Sequence, residues 1–184
     1  MWLRLVWLRL APLAAFVALS VAPAAASNFS LETSAFLDGG MMPKTDAAGG
    51  SCGGRNLSPP LRLSGYPAST RSFAIVAFDT DARHGAGFTH WVAYGLAPGR
   101  PTLPPGFGTQ ASPAFVGGTN DAGTRLYFGP CPPVGDAPHH YVFTAYALEL
   151  APGALEPGLS RAAFLRALAG HGLAQARITG LFSR

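Results

Sequence analysis

Ser72-Phe73-Ala74-Ile75-Val76-Ala77-Phe78 decides the fold: it is a short, continuous apolar run bounded by turn formers. Such a run suits a strand covered on both faces, because a half-exposed strand alternates apolar and polar residues. Trp91 to Leu96 and Tyr141 to Leu150 repeat the pattern with many aromatic and β-branched residues, and Leu61 to Leu63 and Leu126 to Phe128 read as shorter strands. The connections between them, Ala97 to Gly108 for example, are dense in Pro and Gly and carry no helical stripe long enough to cross over between parallel strands. The expectation is a mostly β protein, an antiparallel β-sandwich rather than a doubly wound α/β sheet.

One short C-terminal helix is expected. Ser160 can cap Arg161 to Ala169, Phe164, Leu165 and Leu168 form its apolar side, and Gly170 or Gly172 ends it. Leu173 to Phe182 then reads as a last strand. Residues 39–60 are punctuated by Gly and Pro pairs, keep no apolar period, and are expected to be loop without core residues.

The chain has 184 residues, and 48% hydrophobic and 11% aromatic composition supplies a sizeable core for one domain. Residues 1–26 read as a secretory signal peptide. Arg4 and Arg9 make a positive start, Leu10 to Ala22 is an apolar run broken by Pro12 and Ser20, and Ala24-Ala25-Ala26 offers a cleavage site. The run is shorter than the ~20 residues that span a bilayer, so an uncleaved anchor is the weaker reading, and no Cys follows it to carry a lipid. A mature chain of residues 27–184, periplasmic or secreted, with no transmembrane segment, is expected. Of 13 basic residues, Arg4 and Arg9 fall in the leader, which leaves 11 against 9 acidic ones. That weak, scattered excess argues against a nucleic-acid partner.

Cys52 and Cys131 are the two cysteines. In an oxidising compartment such a pair tends to join where geometry allows, the alternative being two free thiols. Closing so long a loop stabilises by about 4 kcal/mol in the loop-entropy picture. Neither cysteine has a Cys or His at metal-ligand spacing.

The chemistry-bearing residues are few. Asp79 and Asp81 end the first long strand, and in extended chain i and i+2 face the same way, so both carboxylates could enter one cleft. An isolated Asp-x-Asp is more often turn chemistry, since Asp bonds nearby backbone N–H groups. His90 precedes the Trp91 strand. Alternation places His139 and Tyr141 on one face and His140 on the other, which selects His139 for the cleft. There is no His-Glu-x-x-His and no glycine-rich phosphate loop before a helix. Neither a metal site nor a cofactor is expected.

Six ordered blocks resemble the bacterial, Raf kinase inhibitor-like branch of the phosphatidylethanolamine-binding protein family. They are Cys52-Gly53-Gly54-Arg55-Asn56-Leu57-Ser58-Pro59-Pro60, Asp79-Thr80-Asp81-Ala82, His90-Trp91-Val92, Gly118-Thr119-Asn120-Asp121, Gly129-Pro130-Cys131-Pro132-Pro133 and His139-His140-Tyr141-Val142-Phe143. The likeness runs from about Phe29 to Arg184. It implies a Greek-key β-sandwich with an anion pocket lined by Asp79, His90, His139 and Tyr141, with Asp81 and Pro133 close by. Where the family has Asp-Pro-Asp-Ala-Pro, this chain has Asp79-Thr80-Asp81-Ala82-Arg83, which restores two backbone N–H donors, loosens φ and puts a cation at the rim. The resemblance implies a cis peptide near this block, and this departure leaves open whether it carries over.

The function expected is an exported, non-enzymatic binding protein whose ligand is a small anion, phosphate or phosphoethanolamine-like. The alternatives are an inhibitor or modulator of a protein partner, a protease or kinase, and a hydrolase using Asp79 and His139 as acid and base. Direct kinase inhibition fits poorly with a periplasmic location, and no nucleophile accompanies the acid/base pair.

Overall fold

The computed structural model describes residues 28–184, so the expected leader over residues 1–26 lies outside the described residues. In chain order the strands are β1 (Ser30–Glu32), β2 (Gly40–Met41), β3 (Leu61–Ser64), β4 (Ser72–Asp79), β5 (Phe88–Leu96), β6 (Thr102–Leu103), β7 (Val116–Gly117), β8 (His139–Leu148) and β9 (Gly172–Phe182), with helix α1 (Arg161–Ala167) before the last. A three-stranded sheet runs β1-β3-β6 and a six-stranded sheet runs β2-β9-β8-β4-β5-β7. After the β4–β5 hairpin the chain makes a long return that lays β8 on the other side of β4, the Greek-key connection.

The apolar run of β4 sits at the centre of the larger sheet and is covered on both faces. Phe73, Ile75 and Ala77 face the small sheet and join Leu31, Leu61, Leu63 and Leu103 in the main core. Ala74 and Val76 face the other way, against Phe164 and Leu168 around α1. Ser160 caps α1 through the amide of Ala163 at 3.3 Å. The helix ends two residues earlier than expected because Leu168 begins the turn that Gly170, at φ 81°, completes.

Two expectations need correcting. Leu126 to Phe128 is not a strand. The Tyr127 amide donates to the Gly108 carbonyl and that of Phe128 to the His90 carbonyl, so neighbouring donors serve different segments and no ladder forms. The 39–60 segment is loop-like but not coreless: Met42, Ala47, Ala48 and Cys52 are buried, and β2 pairs with β9 in parallel. Its backbone lies so close to Gly129 that a side chain there would collide with the Asp46 carbonyl. Asp46 is itself buried, and burial lifts its carboxyl to about 6 although the Thr45 hydroxyl acts in the opposite direction.

Candidate functional site

At its C-terminal end β4 carries its inner-face register one step beyond the apolar residues, to Asp79, which lies directly across from Tyr141 of β8. His139 faces the same way two residues earlier, while His140 between them is exposed, as alternation requires. Asp79, His139 and Tyr141 therefore gather at the end of the core, at the floor of a recess of about 380 Å³.

A β-bulge brings His90 to them. Ala77 pairs with Trp91 and Phe78 with Thr89, so His90 is an extra residue in β5 with no partner in β4. Strict alternation would turn it away from the face that Trp91 occupies, and the bulge turns it back. Its ring meets Tyr141 edge-on at 5.1 Å and lies 4.8 Å from the Phe88 ring. His90 Nδ1 donates to the Phe128 carbonyl at 2.7 Å, because a carbonyl only accepts.

Asp79 is 2% exposed and uses both oxygens. Oδ2 accepts from His139 Nδ1 at 2.8 Å, and Oδ1 accepts from the amides of Asp81 at 2.9 Å and Ala82 at 3.0 Å. Turn chemistry and site chemistry reside in one carboxylate. Asp81 departs from expectation. Asp81 leaves the extended conformation, at φ −96° and ψ −23°, so i and i+2 no longer share a face, and the Asp81 carboxylate takes the His140 amide at 2.7 Å and faces His140 Nδ1 at 3.0 Å, at the mouth of the recess. Those donors hold its carboxyl below the usual value against the upward pull of burial.

Replacing proline by Thr80 has a visible use: its amide donates to the His140 carbonyl at 3.1 Å and extends the β4–β8 ladder beyond Asp79. Among the described residues there is no cis peptide. Arg83 and His84 follow in left-handed conformations, with φ of 54° and 58°, which costs non-glycine residues about 1–2 kcal/mol each. Arg83 lines the recess, its guanidinium 5.0 Å from the Phe88 ring centre and 3.8 Å from the Asp121 carboxylate.

The opposite wall is Cys131, Pro132 and Pro133, a segment with no strand of its own. Ties on its far side hold it. Cys131 is disulfide-bonded to Cys52, the Ala48 amide donates to the Pro130 carbonyl at 3.0 Å, and Arg184 donates to the carbonyls of Pro132 at 2.6 Å and Ser51 at 3.0 Å.

The imidazoles of His90 and His139 are driven apart. Burial holds His90 below 6.5, with the Phe128 carbonyl and the charges of Asp79 and Asp121 offsetting only part of it. For His139 burial also acts downward, but the bond to Asp79, its charge and Asp136 outweigh it and raise the imidazole. Asp136, 3.4 Å from His139 Nε2, gives that nitrogen an acceptor too, so both ring nitrogens face carboxylates. The Tyr141 hydroxyl is buried and makes no hydrogen bond of good geometry, although the Asp79 carboxylate and the Cys131 backbone lie near it, and burial together with the Asp79 charge pushes its titration upward. Among the described residues no group of three or more His, Cys, Asp or Glu side chains is arranged to hold a metal ion.

All six residues singled out from the sequence, Asp79, Asp81, His90, Pro133, His139 and Tyr141, line this recess. Sequence reasoning missed Asp136, Phe88 and Phe128. The Gly135-Asp136 turn three residues before His139 was a usable signal for the first. Nothing in the sequence marked the aromatic pair, which the bulge and the irregular 126–128 segment bring together.

The model for the family described as "Phosphatidylethanolamine-binding protein" matches residues 32–183. A UPF0098 protein of Methanothermobacter thermautotrophicus is 39% identical over 158 residues, covering 84% of this chain and 99% of its own. A Mycobacterium tuberculosis protein named as a lipoprotein, LppC, is 38% identical over 158 residues, covering 86% of this chain and 74% of its own. The crystal structure of Escherichia coli YbcL superposes with a TM-score of 0.78 at 32% identity, covering 85% of this chain and 98% of that one. With a family match over most of its length and an overall fold shared with YbcL, this chain belongs to the phosphatidylethanolamine-binding protein family.

Proposed function

We propose that the protein is an exported binding protein whose recess takes a small oxyanion, a phosphate or carboxylate group. The observation that carries this reading is the Tyr141 hydroxyl, buried and unpartnered beside His139 at the floor. An unmet buried hydroxyl costs about 1–3 kcal/mol, which a ligand oxygen seated there would recover. The Asp136 carboxylate stands 3.4 Å from His139 Nε2, so an anion seated at that nitrogen would take its place. The lining also includes Phe88, Phe128 and Pro133, which suits an anion attached to a carbon skeleton. Export is supported by the disulfide and by the lipoprotein-named relative, and no described helix is long and apolar enough to cross a membrane.

Protonated His139 is the donor that titrates. Its value is raised, so lowering the pH populates the imidazolium, and Asp79, Asp81 and Asp136 are the carboxylates that act on it. Calorimetric titration of phosphoethanolamine, with sulfate as an anion of constant charge, is expected to show tighter binding at about pH 6 than at about pH 8, and much weaker binding to His139→Ala. No binding at either pH, or equal binding by the variant, would end the proposal.

A further inference from the structure

The cations around the recess are not equivalent. His139 is enclosed between Asp79 and Asp136, whereas the Arg83 guanidinium makes no hydrogen bond among the described residues. Its one ion pair, to Asp121, is long at 3.8 Å, and Asp121 Oδ2 already accepts the Thr89 amide at 2.7 Å. The carboxylates nearby are engaged too: Asp79 through both oxygens, and Asp81 by the amide and ring of His140. A half-exposed Arg with a full set of donors and no carboxylate within hydrogen-bonding reach is a cation held ready for something else.

Its position is built. Left-handed φ values at Arg83 and His84 fold the turn over the mouth of the recess, and Asp79 fixes the turn's start through two amides. The Phe88 ring supports the guanidinium, and Phe88 in turn packs on His90 at the floor, so a stack of three side chains connects rim to floor. A planar guanidinium held this way favours two-pronged contact with a carboxylate or phosphate.

Resting on the anion-recess reading above, we infer that Arg83 is a specificity residue: it selects compact ligands that carry a second acidic group beside the one seated at the floor. The ligand class is a small organophosphate or dicarboxylate with its two anionic groups a few bonds apart. The floor takes one group at His139 and Tyr141, and Arg83 takes the other.

Ethyl phosphate and phosphoglycolate separate the two ideas, since they differ by a methyl group in place of a carboxylate. Calorimetry with the wild-type protein is expected to show phosphoglycolate binding roughly tenfold more tightly, the size of one good charge-assisted contact. Arg83→Gly keeps the positive φ without strain and is expected to erase that gap, weakening phosphoglycolate far more than ethyl phosphate. Arg83→Glu is expected to invert the order. Equal affinities in the wild type, or a gap that survives Arg83→Gly, would overturn the role of Arg83 and leave the recess intact. Failure of both ligands to bind the wild type would remove the anion-recess reading and this one with it.

Discussion

Tyr94 and Tyr141 lie on the two faces of the same sheet, both about 1% exposed, and their hydroxyls have opposite surroundings. Tyr94 stacks on Phe164 of the helix at 5.3 Å, donates to the Glu156 carbonyl at 2.6 Å and accepts the Leu159 amide at 3.3 Å. Tyr141 stands across from Asp79, and its hydroxyl has no partner. Burial is the same in both places, so burial does not mark the site. What distinguishes the ends is whether the polar atoms taken out of water are satisfied: the helix face is closed and the recess is not.

The sharpest way to break that contrast is to remove His139. Its loss leaves Asp79 as a buried carboxylate without its cationic partner, and His139→Ala is expected to cost about 3 kcal/mol in urea unfolding at pH 6. The imidazole's value is raised in the folded protein, so its charged-pair contribution is complete below the unfolded value of about 6.5 and is lost as pH climbs through the folded one. The deficit of the variant should therefore shrink in alkaline solution, and one that grew with pH would contradict the pairing.

Tyr94→Phe comes next, at about 1–2 kcal/mol, because it strips a carbonyl and an amide of their partner, with sulfate affinity unchanged. Tyr141→Phe should have the smallest effect on stability, within about 0.5 kcal/mol and in the stabilising direction, since it removes an unmet polar atom. It should nonetheless weaken sulfate binding severalfold. Equal destabilisation by the two Tyr→Phe changes would erase the distinction between the ends.

The architecture was legible because buried strands announce themselves. The β4, β5 and β8 runs and the Ser160 cap rest on local composition and period, which survive in any context. Leu126 to Phe128 misled because its apolar residues enter the core from an irregular segment whose amides serve two different partners. Residues 39–60 misled for the opposite reason: Met42 and Ala47 have no period, yet the loop is pressed against Gly129 and covers the core's end. At the recess, alternation was enough to choose His139 over His140. It could not place His90, whose direction depends on one unpaired residue in β5, nor Asp136, whose role depends on a turn bringing it back against His139.

One carboxylate gives the recess a built-in reporter. Because Oδ1 of Asp79 receives the Asp81 and Ala82 amides while Oδ2 receives His139, any event that draws electron density toward the imidazole is taken from oxygens that also polarise those two peptide groups. Proton chemical shifts of the Asp81 and Ala82 amides should therefore follow events at the floor, even for a ligand that never touches the turn.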